Sequence, residues 1–308
     1  MLLVIGDAVE ETVVDLRDAP PRGGAGSAHI VHRRGGAAAN VAALAAELGQ
    51  AARLAGQVGD DPAGDLLVDE LRRRGVDVQV SRHGRTAAAV IVRSRGTSTR
   101  LLDRAGATQC TSLPATILDG VAHIHLPASS FSAEPLATAV EDLLGEAIER
   151  GIPLSVDAGG AAALEEIGTD QLRALVSQLR PVVFFCNRSE SATLGLHGRD
   201  PMPGAAWTVI TAGARPTLLA GATGPAKAYP VDPVDGIVER DGAGDGFVAG
   251  YLLAHLAGQR PGTCVQAGHL VAARVLRRRG PRLGATADQP RAGEGASSSS
   301  ASMKPKPA

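Results

Sequence analysis

Short continuous apolar runs alternate along the chain with longer stretches whose apolar residues recur at helical spacing. The first run, Leu2 to Ile5, stops at Gly6 and reads as a buried strand. Glu11 to Arg34 breaks the pattern. Thr12–Leu16 and Ala28–His32 are short strand-like segments separated by Pro20, Pro21, Gly23, Gly24 and Gly26, so they predict a hairpin or excursion outside the main sheet. Gly35-Gly36 then opens the helical pattern AAANVAALAAELG, closed by Gly49. A strand over Arg53–Gln57 and a helix over Pro62–Arg74 follow, with Gly75 past the helix end. From Val76 to Arg104 the pattern returns to strands. Thr86–Arg93 and Ser98–Asp103 flank the turn Ser94-Arg95-Gly96-Thr97. The two β excursions are expected to pair into one small sheet.

Beyond Val121 strand and helix alternate. Strands are predicted over Ala122–Leu126, Pro153–Val156, Val182–Cys186 and Trp207–Thr211, with helices over Ala133–Arg150 and Asp170–Gln178. Strands near Thr217–Ala220 and Ala226–Pro230 form a closing edge. Helices over about Ala243–Leu256 and Thr263–Arg278 finish the pattern. Alternation with continuously apolar strands argues for a predominantly parallel α/β sheet covered on both faces. The expectation is one folded unit over 1–284, with its small β-sheet drawn from about 12–34 and 78–104. The segment 285–308, with Ser297–Ser300 and Lys304-Pro305-Lys306-Pro307, is expected to be a disordered tail.

Composition narrows the function. A chain of 308 residues at 44% hydrophobic can build one large core, or a core with a small appendage. A net charge of −1 gives no reason to expect nucleic acid or an anionic membrane as partner. Aromatics at 2% leave little for base-stacking platforms. Lysine occurs only at Lys227, Lys304 and Lys306, so arginine carries nearly all the positive charge. Cys110, Cys186 and Cys264 are too few and too far apart for a disulfide framework or a CxxC metal site. MLLVIGDAVEE lacks the basic start and apolar length of a signal peptide, and no segment reaches the roughly 18 apolar residues of a membrane span. A cytoplasmic protein is the expectation.

The candidate chemistry lies in RDGAGDGFVAG, Arg240 to Gly250. Gly242, Ala243 and Gly244 let backbone N–H groups approach a ligand closely, and the following helix points its positive end at the same spot. Asp245 sits at that helix start. A carboxylate beside an anion hole suits a base that takes a proton from a hydroxyl attacking a phosphate. The stretch is neither a Walker A loop nor a GxGxxG fingerprint, which argues against a nicotinamide-dependent dehydrogenase.

In order and spacing the motifs resemble the ribokinase-like (PfkB-type) carbohydrate kinases. Gly242-Ala243-Gly244-Asp245 is similar to the end of that family's D-T-x-G-A-G-D signature, and Gly35-Gly36-Ala37-Ala38-Ala39-Asn40 to its G-G-x-x-x-N signature. GQVGDDPAGDLLVDELRRRGVDV (Gly56–Val78), CNRSE (Cys186–Glu190), DRAGA (Asp103–Ala107) and TAG (Thr211–Gly213) have counterparts too. The resemblance implies a three-layer α/β/α fold with a small β-sheet lid. It implies transfer of the γ-phosphate of ATP, with Mg²⁺, to a hydroxymethyl group of a sugar or sugar-like molecule. Asp245 would be the general base and Gly242, Ala243 and Gly244 the anion hole. Glu11, Gly35, Gly36 and Asn40 would meet the sugar. Asn187 and Glu190 would organise Mg²⁺ and phosphate, with Glu190 on the metal side, and Thr211 and Gly213 would border the nucleotide. A nucleoside kinase of the same family, and a catalytically weak sugar- or nucleotide-binding regulatory protein, stay open as alternatives.

Several residues depart from the pattern or carry a second reading. Glu239, Arg240 and Asp241 stand where the family usually has Asp, Thr and a small residue, the first and third of which help hold a monovalent cation. K⁺ dependence is therefore open. Glu11 stands where an aspartate is common, with Asp7 as an alternative carboxylate. Ala37 removes a side chain that some sugar-specific members use, and the segment between Glu190 and Trp207 is short. Asn187 and Glu190 equally fit an N-cap with its capping-box partner. His123 and His125 share one strand face without completing a metal set, which favours a structural or surface role. Arg100 and Arg104 fit surface charge, a phosphate contact or a contact with a neighbouring subunit, and Asp157 ends a strand on the side where such sheets bind ligands. A homodimer through the lid is open as well.

Overall fold

The computed structural model describes residues 1–18, 23–94, 96–104, 109–196 and 200–284. The expected tail lies outside these residues, as do Pro20, Pro21, Arg95 and most of DRAGA.

The chain opens with β1 (Leu2–Ile5), then β2 (Val9–Leu16) and β3 (Ala28–Gly35). Helix α1 (Ala37–Glu47) starts at Gly36, and its end is closed by the N–H groups of Gly49 and Gln50 on Ala46 and Ala45. After β4 (Ala52–Val58), Asp61 caps α2 (Pro62–Arg73) by accepting from the Gly64 N–H at 2.8 Å. Then come β5 (Val76–Arg82), β6 (Ala87–Ser94) and β7 (Thr97–Asp103). The alternating part runs through β8 (His123–Pro127), α3 (Leu136–Glu149), β9 (Leu154–Asp157), α4 (Ala161–Ile167), α5 (Thr169–Leu179), β10 (Val183–Asn187) and α6 (Arg188–Thr193). It closes with β11 (Trp207–Ala212), β12 (Arg215–Gly221), β13 (Lys227–Tyr229), α7 (Ala243–Leu256) and α8 (Pro261–Leu276).

The strands form a nine-stranded sheet, β13-β12-β11-β10-β9-β8-β1-β4-β5, and a four-stranded sheet, β3-β2-β6-β7. The large sheet is parallel from β5 to β11 and turns antiparallel at β12 and β13, the predicted closing edge. In the small sheet β2 pairs with β6 in parallel, which joins the two sequence-distant excursions as expected. One boundary is corrected. Residues 76–82 belong to the large sheet through β4, with Leu54 opposite Val78, so the second lid excursion starts after Arg82 and not at 78.

Strand β1 lies between β8 and β4 and is fully buried. Leu2 and Val4 pack into a core with residues of α1, α2, α7 and α8, while Leu3 and Ile5 pack into a second core with residues of α3, α4 and α5. Each fully buried side chain of this kind contributes about 1.5–3 kcal/mol. The two cores explain the unbroken apolar strands: both faces are covered. Helices α7 and α8 approach closely through glycine. A Cβ on Gly250 would stand 2.7 Å from the Ala267 carbonyl oxygen, and one on Gly268 would stand 2.8 Å from the Phe247 ring. This contact holds α7, and with it Asp245, against α8.

Candidate active site

The C-terminal ends of the parallel strands face the small sheet, and the motif residues collect there. Gly242 leads into α7 in the left-handed conformation, φ +78, where a Cβ would meet the Pro281 Cβ at 2.5 Å. Only glycine serves at that point. The first N–H groups of a helix have no carbonyl partner within it. The Ala243 N–H turns back to the Arg240 carbonyl at 3.3 Å, which leaves those of Gly244 and Asp245 as the freer donors. Space is open around Gly244.

Asp245 is held by α1. Asn40 Nδ2 donates to Asp245 Oδ2 at 2.8 Å, and Asn40 Oδ1 accepts from Arg34 Nε at 3.1 Å. Arg34 is anchored in turn on Glu70 and the Pro281 carbonyl, each at 2.8 Å. Burial pushes the Asp245 carboxyl up to about 6 against the pull of Asn40, Arg100 and Arg34. Asn40 therefore orients the carboxylate before any substrate is present.

Glu11 is not a free carboxylate. Its oxygens bind Arg33 Nε at 2.9 Å and the Arg100 guanidinium. Gly35 makes room for it: a Cβ there would lie 2.4 Å from the Glu11 side chain. Gly36, at φ +89, would collide with the Asp7 carbonyl oxygen at 2.4 Å. Both glycines are thus required by packing. Asp7 keeps one buried carboxylate oxygen without a partner, and the nearby Arg104 Nε is likewise unpartnered. Burial raises the Asp7 carboxyl, with Arg104 and Arg100 opposing.

Across the cleft, Asn187 and Glu190 form a reciprocal capping box on α6. The Asn187 oxygen accepts from the Ser189 and Glu190 N–H groups at 2.8 and 3.0 Å, while Glu190 accepts from the Asn187 N–H at 2.7 Å and from its Nδ2 at 2.6 Å. The box fixes the Glu190 carboxylate. Asp157, at the end of β9, is pushed up to about 8 by burial and by the charge of Glu190, with Asp245 adding to it. Burial raises Glu190 too, against the Asn187 and Gly160 N–H groups. Two carboxylates raised together fit a cation placed between them and bound phosphates, because a cation lets both ionise. No group of three or more His, Cys, Asp or Glu poised on one metal occurs among the described residues. Thr211 lies opposite Asn187 in the β10–β11 ladder, and Gly213, φ +63, makes the turn into β12.

Sequence reasoning missed Arg33, Arg34 and Arg93. The alternation of Glu11, Arg33 and Arg93 on facing strands was a signal, legible only once β2, β3 and β6 are known to be neighbours. Arg100 is an ion-pair partner of Glu11 and not plain surface charge. Arg104 pairs with Glu166 at 3.1 Å. His123 and His125 share the Ser155 hydroxyl at 2.9 Å each, and burial lowers both to about 3, so their role is structural.

A family model described as "pfkB family carbohydrate kinase" matches residues 1–288. A fructokinase from Klebsiella pneumoniae is 30% identical over 271 residues, covering 82% of this chain and 83% of the relative. Among solved structures, a probable sugar kinase from Rhizobium etli CFN 42 superposes with a TM-score of 0.81 at 19% identity, over 92% of this chain and 95% of that one. A putative ribokinase II from E. coli, in complex with ATP and Mg²⁺, superposes with a TM-score of 0.78 at 20% identity, over 91% and 94%.

Proposed function

From the premise that the chain belongs to the pfkB family of carbohydrate kinases, we propose that it moves the γ-phosphoryl group of ATP to a hydroxymethyl group of a sugar-like acceptor, with Asp245 as general base. The observation that carries the assignment is the pairing of a base and an anion hole in one helix turn. Asp245 is oriented by Asn40, and the Gly244 and Asp245 N–H groups begin the helix beside it.

The acceptor hydroxyl attacks the γ-phosphorus in line with the oxygen bridging it to the β-phosphate. The new O–P bond forms as the bond to ADP breaks, and the hydroxyl proton passes to Asp245. The Gly244 and Asp245 N–H groups oppose the charge gathering on the transferring phosphoryl, while the Ala243 N–H, expected in the same anion hole, is engaged by the Arg240 carbonyl. Glu190 with Asp157 is the pair that would hold Mg²⁺, through water, and the ion when bound would lend Lewis-acid charge to the phosphates. Asn187 keeps Glu190 in place. Gly35, Gly36, Asn40 and Glu11 wall the acceptor side, with Asp7 and Arg104 offering unpartnered polar atoms to its hydroxyls. Thr211 and Gly213 border the nucleotide. The lid excludes water, so that transfer outruns hydrolysis.

The lid also supports a homodimer. Ile30, Val90 and Leu101 are 56%, 37% and 60% exposed. The ladder registers Thr12↔Val90, Val14↔Ile30 and Val90↔Leu101 place all three on the face opposite Glu11. A second copy of the same sheet is the occupant proposed for this exposed apolar face.

ADP release would be measured with Mg²⁺-ATP across pentoses, hexoses, sugar phosphates and nucleosides, for the parent and Asp245→Asn. Acceptor-dependent turnover that falls by about 10² or more in the variant is expected. Nucleoside-only turnover would select the nucleoside reading. Ligand binding without turnover on any acceptor would overturn the kinase reading in favour of a binding protein.

A further inference from the structure

The segment that leads into the anion hole carries two carboxylates, and both are already neutralised from the lid. Arg33, on β3, reaches Glu239 through Nη1 and Asp241 through Nη2, the latter at 2.8 Å. Arg93, on β6, reaches Glu239 at 2.7 Å and Asp241 at 2.6 Å. Two carboxylates thus meet two guanidiniums. The Arg33 side chain is 13% exposed and that of Glu239 is 8% exposed. The opposite wall is the backbone at Gly280, whose N–H donates to Glu239 at 3.3 Å. A Cβ added to Gly280 would already sit 3.2 Å from the Arg33 side chain. Burial opposes ionisation of Asp241, yet Arg33 and Arg93 hold it below the ordinary carboxylate value. Arg240, the positive charge next in sequence, is exposed and takes no part in these pairs.

A monovalent cation between Glu239 and Asp241 does not fit this arrangement. It would have to displace a largely buried guanidinium that binds both carboxylates with directed hydrogen bonds. We infer that Arg33 and Arg93 are positioning residues that replace a bound monovalent cation at the loop before the anion hole, making turnover independent of K⁺ and tying that loop to the lid. The consequence is mechanical as well as electrostatic. Through Nε, Arg33 also binds Glu11, so one side chain connects the acceptor wall to the loop that feeds Gly242. The inference rests on the kinase reading.

Turnover on the best acceptor would be measured with K⁺, Na⁺ or tetramethylammonium as the sole monovalent cation at constant ionic strength, beside thermal melting in the same salts. The parent is expected to turn over and melt alike in all three. Arg33→Met should lose about tenfold or more in kcat in tetramethylammonium, the scale of one preorganised charge-assisted contact. K⁺ should restore part of that loss and raise the variant's melting temperature. Arg33→Lys keeps the charge without the fork and should fall between, which covers the case in which Arg33→Met does not fold. Glu239→Gln, which removes the carboxylate, should gain no K⁺ response. Severalfold K⁺ stimulation of the parent, or an Arg33→Met enzyme equal to the parent in tetramethylammonium, would overturn the inference. If the parent turns over no acceptor, the kinase reading fails, and the melting series still decides this one: K⁺-specific stabilisation of the parent would sink it.

Discussion

Asp245 carries two opposed demands. A base must be unprotonated to work, and burial raises its carboxyl to about 6. Below that pH the proton is already in place. The acid limb of kcat/KM should therefore bend near pH 6 and flatten above it; a limb near pH 4 would mean that the cleft is wetter than its geometry. The sign for stability is opposite. The folded value lies above the ordinary 3.8, so the fold favours the protonated form. That contribution is present in full below about 3.8 and is lost as pH rises through 6. Ionised Asp245 therefore costs stability at neutral pH. Asp245→Asn should melt higher than the parent at pH 7, and the gap should close near pH 4. A variant melting below the parent at pH 7 would contradict this. The sequence revealed Asp245 because its glycine turn stands in order and spacing with Gly35–Asn40 and Asn187–Glu190; alone, a glycine turn with an aspartate at a helix start is also a common cap. It hid Arg33 and Arg93, because their partners Glu239 and Asp241 are over a hundred residues away and only the folded lid brings them together.

At the level of elements, glycine divides into positions that need it and positions that do not. Gly250 in α7 faces the Ala267 carbonyl, a backbone atom that cannot rotate aside. Gly250→Ala gains about 1 kcal/mol of helix propensity but meets an overpacking cost of about 1–3 kcal/mol, so it should destabilise. Gly145 in α3 is exposed, and a Cβ added there would meet nothing within 4 Å, so Gly145→Ala should gain up to about 1 kcal/mol. Denaturant unfolding of the two variants should shift in opposite directions; a shared sign would show that helix contact does not decide. The same contrast explains what could be read in advance. Helix α7 was legible to the residue because it is long and bounded by glycine and turn signals. Helix α4 was not, since seven residues between Gly160 and Gly168 hold only about two turns of pattern. Strand β5 alternates as a lid strand would, and alternation alone does not say which sheet a strand joins.

For the whole molecule, the outer lid face and the order of the strands have consequences that no single residue carries. If the lid pairs two copies, Leu101→Glu should shift the sedimentation coefficient from dimer to monomer without unfolding the protein, because its position on the far face leaves Glu11 and Arg100 untouched. A parent that sediments as a monomer at all concentrations would remove the homodimer proposal. The overall α/β/α architecture was legible from unbroken apolar strands, since only a sheet covered on both faces tolerates them. The placement of β1 was not, because nothing local marks a strand as central. That placement matters during synthesis. β1 precedes the other strands of its sheet in the chain, yet its neighbours are β4 and β8, and β8 ends at Pro127. An apolar strand that belongs in the middle of the sheet therefore leaves the ribosome with both edges bare. It must wait until β8 has followed before its second edge is covered, so a strand in the middle of the sheet is also one long at risk of a wrong partner.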